Sequence, residues 1–109
     1  MLAKVNRITS DAEFRVVFRK GRRFSTEHFV VVAASSKSDM SRFGFVVSKK
    51  VAKTATKRNV VRRRMQTVAA DFVRTARAKD VIIRALPGSE LLSWDELVAE
   101  LHILDRVFK

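Results

Sequence analysis

Arg58, Asn59, Arg62 and Arg63 lie within six consecutive positions of a 109-residue chain. On a helix turning about 100° per residue they share an arc of roughly 140°, centred about 120° from an apolar stripe. That stripe is Val61, Met65, Val68 and Phe72, spaced i, i+4, i+7 and i+11. Guanidinium groups fork two donors onto phosphate oxygens and stack on bases, while an Asn amide offers both donor and acceptor to a 2′-hydroxyl or base edge. A solvated helix face would interleave Glu with Lys for mutual support. Here no carboxylate falls in the first four turns, and Lys57 and Arg58 stand against the positive end of the helix macrodipole. The pattern is that of a phosphate-binding platform.

A second group is aromatic. Phe14 and Phe18 are one helical turn apart, beside Arg15 and Arg19. They suit either a stacking surface for unpaired bases or the buried side of a short amphipathic helix, and in a small domain the core reading is the stronger. Lys49 and Lys50 adjoin the basic helix. His28 and His102 lack the partner spacing of a metal site or a triad and read as structural or surface residues. Glu96 and Glu100, one turn apart, read as solvating, because the positive charge that would hold a nucleic acid lies in the other half of the chain. No nuclease site carried by protein side chains is visible.

The formal charge is +12, and it is placed rather than spread. Residues 1–70 hold 17 basic and 4 acidic side chains, whereas residues 71–109 hold 6 and 7. From Met40 to Ala70 there are nine bases and no acid, a field most simply answered by a polyanion such as nucleic acid. An anionic membrane surface would call for a broad apolar face with aromatic anchors, and this segment has one narrow stripe. With 47% hydrophobic residues, 3 Gly and 1 Pro, the composition suits a folded core. No apolar run reaches the roughly 18 residues of a membrane span, and no signal-peptide stretch opens the chain, so a cytoplasmic protein is expected. The absence of cysteine excludes disulfides, thiolate catalysis and sulfur-ligated zinc.

One domain over residues 1–109 must position these groups. Ser10 and Glu13 predict a capping box opening a short helix that Gly21 closes in the left-handed conformation. Phe29 to Ala34 and Arg42 to Ser48 read as two strands of a hairpin joined by the loop Ser35 to Ser41, with Arg22 to Ser25 left open as an edge strand. Ala52 to Thr56 reads as a mobile linker into a long helix from about Thr56 to Arg77. Val81 to Ala85 is a short buried strand ended by Pro87-Gly88. Ser93 and Glu96 form a second capping box, opening a helix along Leu97, Leu101 and Leu104. The order implies an α+β fold, with a mixed sheet covered by helices.

With those residues assembled, the chain resembles the protein subunit of bacterial ribonuclease P over nearly its whole length. The likeness rests on Asn6-Arg7, Phe14, Phe18 and Gly21, then Arg42-Phe43-Gly44-Phe45-Val46-Val47-Ser48-Lys49-Lys50. It continues through Arg58-Asn59 with Arg62-Arg63 and ends at Lys79-Asp80-Val81-Ile82-Ile83-Arg84. The resemblance implies a two-layer α/β sandwich of ribosomal-protein type, with a sheet of about four strands and a left-handed β-α-β crossover, against the usual hand. It assigns Arg58, Asn59, Arg62 and Arg63 to the catalytic RNA, and Phe14, Phe18, Lys49 and Lys50 to a cleft for the single-stranded 5′ leader of precursor tRNA. Val60 and Gln66 stand where the family commonly has arginine, and Val32 where a tyrosine is frequent.

The resemblance also implies an accessory role. The RNA subunit carries the active site, magnesium is held mainly by RNA phosphates, and the protein binds leader without an obligate protein partner. A ribosomal or RNA-chaperone-like module would share the charge and the fold. It would show no preference for leader-bearing over mature tRNA. A self-sufficient protein nuclease would cleave with magnesium alone.

Overall fold

A computed structural model of the chain describes residues 6–36, 39–73 and 78–108. In order the elements are helix α1 (Asp11–Lys20), strands β1 (Arg22–Ser25), β2 (Phe29–Ser35) and β3 (Arg42–Val46), helix α2 (Ala55–Ala70) and strand β4 (Lys79–Ala85). A 3-10 turn (Ser89–Leu91) and helices α3 (Trp94–Leu101) and α4 (Leu104–Val107) follow. The long helix, expected to run to Arg77, ends at Ala70, with residues 71–73 in a turn, and residues 74–77 lie outside the described residues.

The four strands form one mixed sheet in the order β1-β2-β4-β3. Strand β2 pairs antiparallel with both β1 and β4, and β3 runs parallel to β4. The mixed α+β architecture is therefore as expected, but the β2–β3 hairpin is not formed. Strand β4 lies between them, because Val81, Ile82 and Ile83 are all fully buried and such a run needs cover on both faces. Helix α2 supplies the crossover from β3 to β4. Arg22 to Ser25 is an edge strand, with the Arg22 guanidinium 5.6 Å from the Phe24 ring centroid.

Alternation along the strands sends side chains to two cores. Phe29, Val31, Phe43, Val81 and Ile83 meet Val61 and Met65 of α2 and Leu97, Leu101 and Leu104 behind it. On the opposite face Val32 and Ile82 meet Ile8 and Val17 under α1. Val32, where the resemblance points to a cleft residue, is thus fully buried core. Ahead of α1, Ile8 N–H donates to the Phe43 carbonyl at 2.8 Å and Asn6 Nδ2 to the Ser41 carbonyl at 2.9 Å, lining the first part of β3.

Two local expectations are corrected. Gly21 is extended (φ −76°, ψ 156°) rather than left-handed. Glycine is needed for close approach, since a Cβ there would sit 2.5 Å from the Val17 carbonyl oxygen and 2.5 Å from Val32 Cγ1. Only half of the first capping box forms: the Glu13 amide donates to Ser10 Oγ, while the Glu13 carboxylate turns to Arg42. The second box, Ser93 with Glu96, is complete. The left-handed glycine is Gly88, at φ 101° after Pro87.

Candidate nucleic-acid interface

Helix α2 has no acidic residue in its first turn, and Thr54 caps it by accepting from the Lys57 amide at 3.3 Å. The segment expected to be a mobile linker, residues 52–56, is held at its start, where Ala52 is buried, while residues 53–56 are exposed and Ala55 already opens the helix. Arg58 accounts for part of that order. Its Nη1 donates to the Ala52 carbonyl at 3.1 Å and the Lys53 carbonyl at 2.9 Å, setting carbonyl oxygens against a charge that opposes the helix dipole. One end of Arg58 is thereby committed to the protein.

Asn59 and Arg63 are exposed on the crest of α2, and Arg62 is half-buried beside them. Arg62 Nη1 donates to Asn59 Oδ1 at 2.6 Å. Arg64 leaves the crest and donates from Nη1 to the Leu92 carbonyl at 3.0 Å, fastening α2 to the turn before α3. Among the described residues no carboxylate pairs with an arginine of α2. The ion pairs there are Arg42 with Glu13 and with Asp80, His28 with Glu100, and His102 with Asp105. Gln66 turns its Oε1 out of solvent without a hydrogen-bond partner, and Val60 is exposed, so neither replaces a missing arginine.

Between α1 and α2, along the later part of β3, runs an open groove of about 550 Å³. Phe14, Phe18 and Phe45 line it with the Val46–Val47 segment, and Asp11, Arg15 and Arg62 stand around them. Phe14 and Phe18 are half-buried against the cluster of Val17, Val32 and Ile82, as the core reading expects, and both also line the groove. Gly44 permits this, because a Cβ there would fall 2.6 Å from Phe14 Cζ. Lys49 and Lys50 are exposed in the turn after β3 and do not line the groove. Phe45 and Arg15 were within reach of sequence reasoning, as an alternating aromatic strand residue and a cation flanking Phe14.

Two other charged clusters tie elements of the fold together. Arg42 forks to Asp80, with Nε to Oδ1 at 3.0 Å and Nη2 to Oδ2 at 2.9 Å, and also reaches Glu13, joining β3, β4 and α1. The Asp80 hydrogen bonds foremost, and Glu13 after them, push the Arg42 pKa up against burial, so it is a permanent cation. Glu100 accepts from Thr26 Oγ1 at 2.7 Å and the His28 amide at 2.8 Å, and meets His28 Nδ1 at 2.6 Å. That contact raises the His28 pKa. Burial pushes the Glu100 carboxyl up, but hydrogen bonds from Thr26 and His28 outweigh it and hold it below the usual range. Glu96 serves its cap and Glu100 serves His28, so the two do not converge on a cation. Among the described residues no group of three His, Asp or Glu side chains is placed to hold a metal. No helix there is long and apolar enough to cross a membrane.

A model of the ribonuclease P family matches residues 2–107. The chain belongs to the ribonuclease P protein family. It is 44% identical over 103 residues to the ribonuclease P protein component of Clavibacter michiganensis, covering 93% of this chain and 90% of that one. The corresponding protein of Kocuria rhizophila is 38% identical over 101 residues, covering 92% and 88%. The solved ribonuclease P protein of Staphylococcus aureus superposes with a TM-score of 0.88 at 29% identity, covering 97% of this chain and all of the other. That of Thermotoga maritima, 22% identical with a TM-score of 0.78, shares the fold.

Proposed function

We propose that this member of the ribonuclease P protein family is the RNA-binding subunit that assists a catalytic RNA in removing the 5′ leader of precursor tRNA. One observation carries the reading: the acid-free crest of α2 meets an aromatic groove at Arg62, so a single cation borders both surfaces. Phosphates of the catalytic RNA would dock on Arg58, Asn59, Arg62 and Arg63. The unpaired leader would lie in the groove, with bases against Phe14 and Phe18 and phosphates near Arg15. Lys49 and Lys50, outside the groove proper, would act on its rim at longer range.

On this reading the protein supplies no reacting group. It screens repulsion between two RNAs and holds the leader in place, which favours the assembled complex. Magnesium would be held by RNA phosphates. Cytoplasmic location follows from the same role.

Reconstitution tests the proposal. Catalytic RNA and precursor tRNA are combined at low magnesium with and without the protein. Faster release of an intact leader with the protein present is expected, along with tighter binding of leader-bearing than of mature tRNA. Equal rates and equal affinities would return the chain to a general RNA-binding module.

A further inference from the structure

On the sheet face that carries α1, alternate residues of β4 meet three different fates. Asp80, in register with Arg42 and Ala34, is tied to α1 through Arg42 and Glu13. Ile82, in register with Gly44 and Val32, lies under the helix: Phe14 approaches at Gly44, and Gly21 closes α1 against Val32. Arg84, in register with Val46 and Val30, is the one exposed residue of β4. Val46 and Val30 on either side are half-buried against the core beneath α1, and Ser25, the next residue across on β1, is exposed. This third row is an open strip of sheet. It begins in the groove, because Val46 lines that groove, and Arg84 stands one strand further on, about 4.8 Å away in the pairing direction.

Continuity and charge identify the occupant. Among the described residues no ion pair involves Arg84. Lys49 and Lys50 leave the sheet at this same end, in the turn after β3. Of the carboxylates there, Glu100 reaches His28 from α3 on the opposite face, Glu90 accepts from the Gly88 amide at 2.7 Å, and Glu27 is exposed in the turn between β1 and β2, where its charge bears on His28. An apolar strip with one guanidinium suits a single strand of nucleic acid, whose bases lie on the aliphatic surface while a phosphate meets the cation. The catalytic RNA would dock on α2, so leader nucleotides next to the cleavage site lie at the α2 side of the groove and those farther out run away from it, across β4 toward β2. We propose that Arg84 takes a backbone phosphate of the leader beyond the bases held by Phe14 and Phe18, on the strip it forms with Val46 and Val30. This rests on the leader-binding role proposed above and lengthens that site by one row of the sheet.

Leader length is the variable that reads this site. Holoenzyme assembled from the full-length protein and the catalytic RNA is titrated with precursor tRNAs whose leaders grow one nucleotide at a time. With the unsubstituted protein, affinity is expected to rise with leader length until the row is occupied. Arg84→Gln is expected to end that rise sooner, weakening long leaders about three- to tenfold and flattening the log–log salt dependence by about 0.7, while leaders that fill only the groove bind equally well. Arg84→Lys should keep most of the gain. A neutral methylphosphonate linkage, placed where the two length curves part, should cost the unsubstituted holoenzyme the same factor and Arg84→Gln nothing further.

Equal affinities of Arg84→Gln and the unsubstituted protein at every leader length, or one uniform loss at all lengths, would overturn the Arg84 contact and leave the groove itself standing. No gain from any leader with the unsubstituted protein would remove the leader-binding role, and this extension with it. Urea unfolding checks that Arg84→Gln is folded. Should it lose its fold, Arg84→Met, which keeps an unbranched stem between the two valines without the charge, is measured against the same expectations.

Discussion

Arg62 Nη1 and Asn59 Oδ1 are joined at 2.6 Å, one turn apart on α2. The bond uses the Asn59 acceptor, leaves its amide donors to a ligand, and holds the guanidinium where crest and groove meet. Orientation and charge can therefore be separated. Arg62→Ala removes a cation, so its log–log salt dependence of RNA binding should flatten by about 0.7 to 0.9 as affinity falls. Asn59→Ala keeps every charge and loosens one rotamer, so binding should weaken about two- to tenfold with the slope intact. Filter binding over a range of salt measures both, and an unchanged slope for Arg62→Ala would put that cation away from phosphate.

Arg42 gives a prediction about stability rather than binding. Its side chain is 26% exposed and that of its partner Asp80 is 11% exposed. Removing the cation by Arg42→Met would leave Asp80 buried at the end of β4 without its fork. Allowing for screening at the open end, the loss should be about 2 to 3 kcal/mol in urea unfolding. The double variant Arg42→Met, Asp80→Leu should regain most of it, because an apolar pair of similar volume carries no desolvation penalty. If the double variant is no better than the single one, the fork contributes geometry that packing cannot replace.

The same residue shows where sequence reasoning stops. Arg42 counts in the sequence as one of nine bases in an acid-free segment, and nothing local says that Asp80, 38 positions on, will claim it. Its arrival also draws Glu13 out of the first capping box, whereas Ser93 and Glu96, with no such competitor, form the box their spacing predicts. The hairpin between β2 and β3 failed for a related reason. Neighbouring strands in sequence often pair, but the unbroken apolar run of β4 marks a central strand, and that signal outranks adjacency. The basic crest of α2 was legible because helical periodicity alone sets it. The groove was only half legible, since Phe45 and Arg62 reach it from separate elements.

The clasp between His28 and Glu100 should make stability depend on pH. The folded His28 pKa is raised above 6.5, so its contribution is complete below that value and is lost as pH rises through the folded pKa. Glu100 is lowered from 4.5, so its contribution is complete above that value and is lost as pH falls through the folded pKa. Glu27 and Glu90 face the histidine with the same sign of effect as Glu100. The clasp is therefore fully engaged between about pH 4.5 and 6.5. Urea midpoints of the unsubstituted protein and His28→Gln should differ most in that window and converge as the solution becomes alkaline. A constant difference across pH would mean that the imidazole acts by packing alone.

Two glycines separate groove from scaffold. At Gly21 an added methyl meets the Val17 carbonyl oxygen and Val32 Cγ1, both 2.5 Å away, and the first is helix backbone that cannot swing aside. Gly21→Ala should therefore cost about 1 to 3 kcal/mol, as overpacking generally does, with little selective effect on leader binding once the protein is folded. At Gly44 the methyl meets the far edge of a ring, Phe14 Cζ at 2.6 Å and Cε1 at 2.9 Å, and a ring can rotate. Rotation moves Phe14 within the groove it lines, so Gly44→Ala should cost less in stability, about 1 kcal/mol, yet weaken a leader oligonucleotide severalfold through lost stacking. Parallel urea titrations and leader-binding curves compare the two. Should Gly44→Ala leave leader affinity untouched while the Phe14 ring demonstrably moves, the groove wall at Phe14 would not be where the leader stacks.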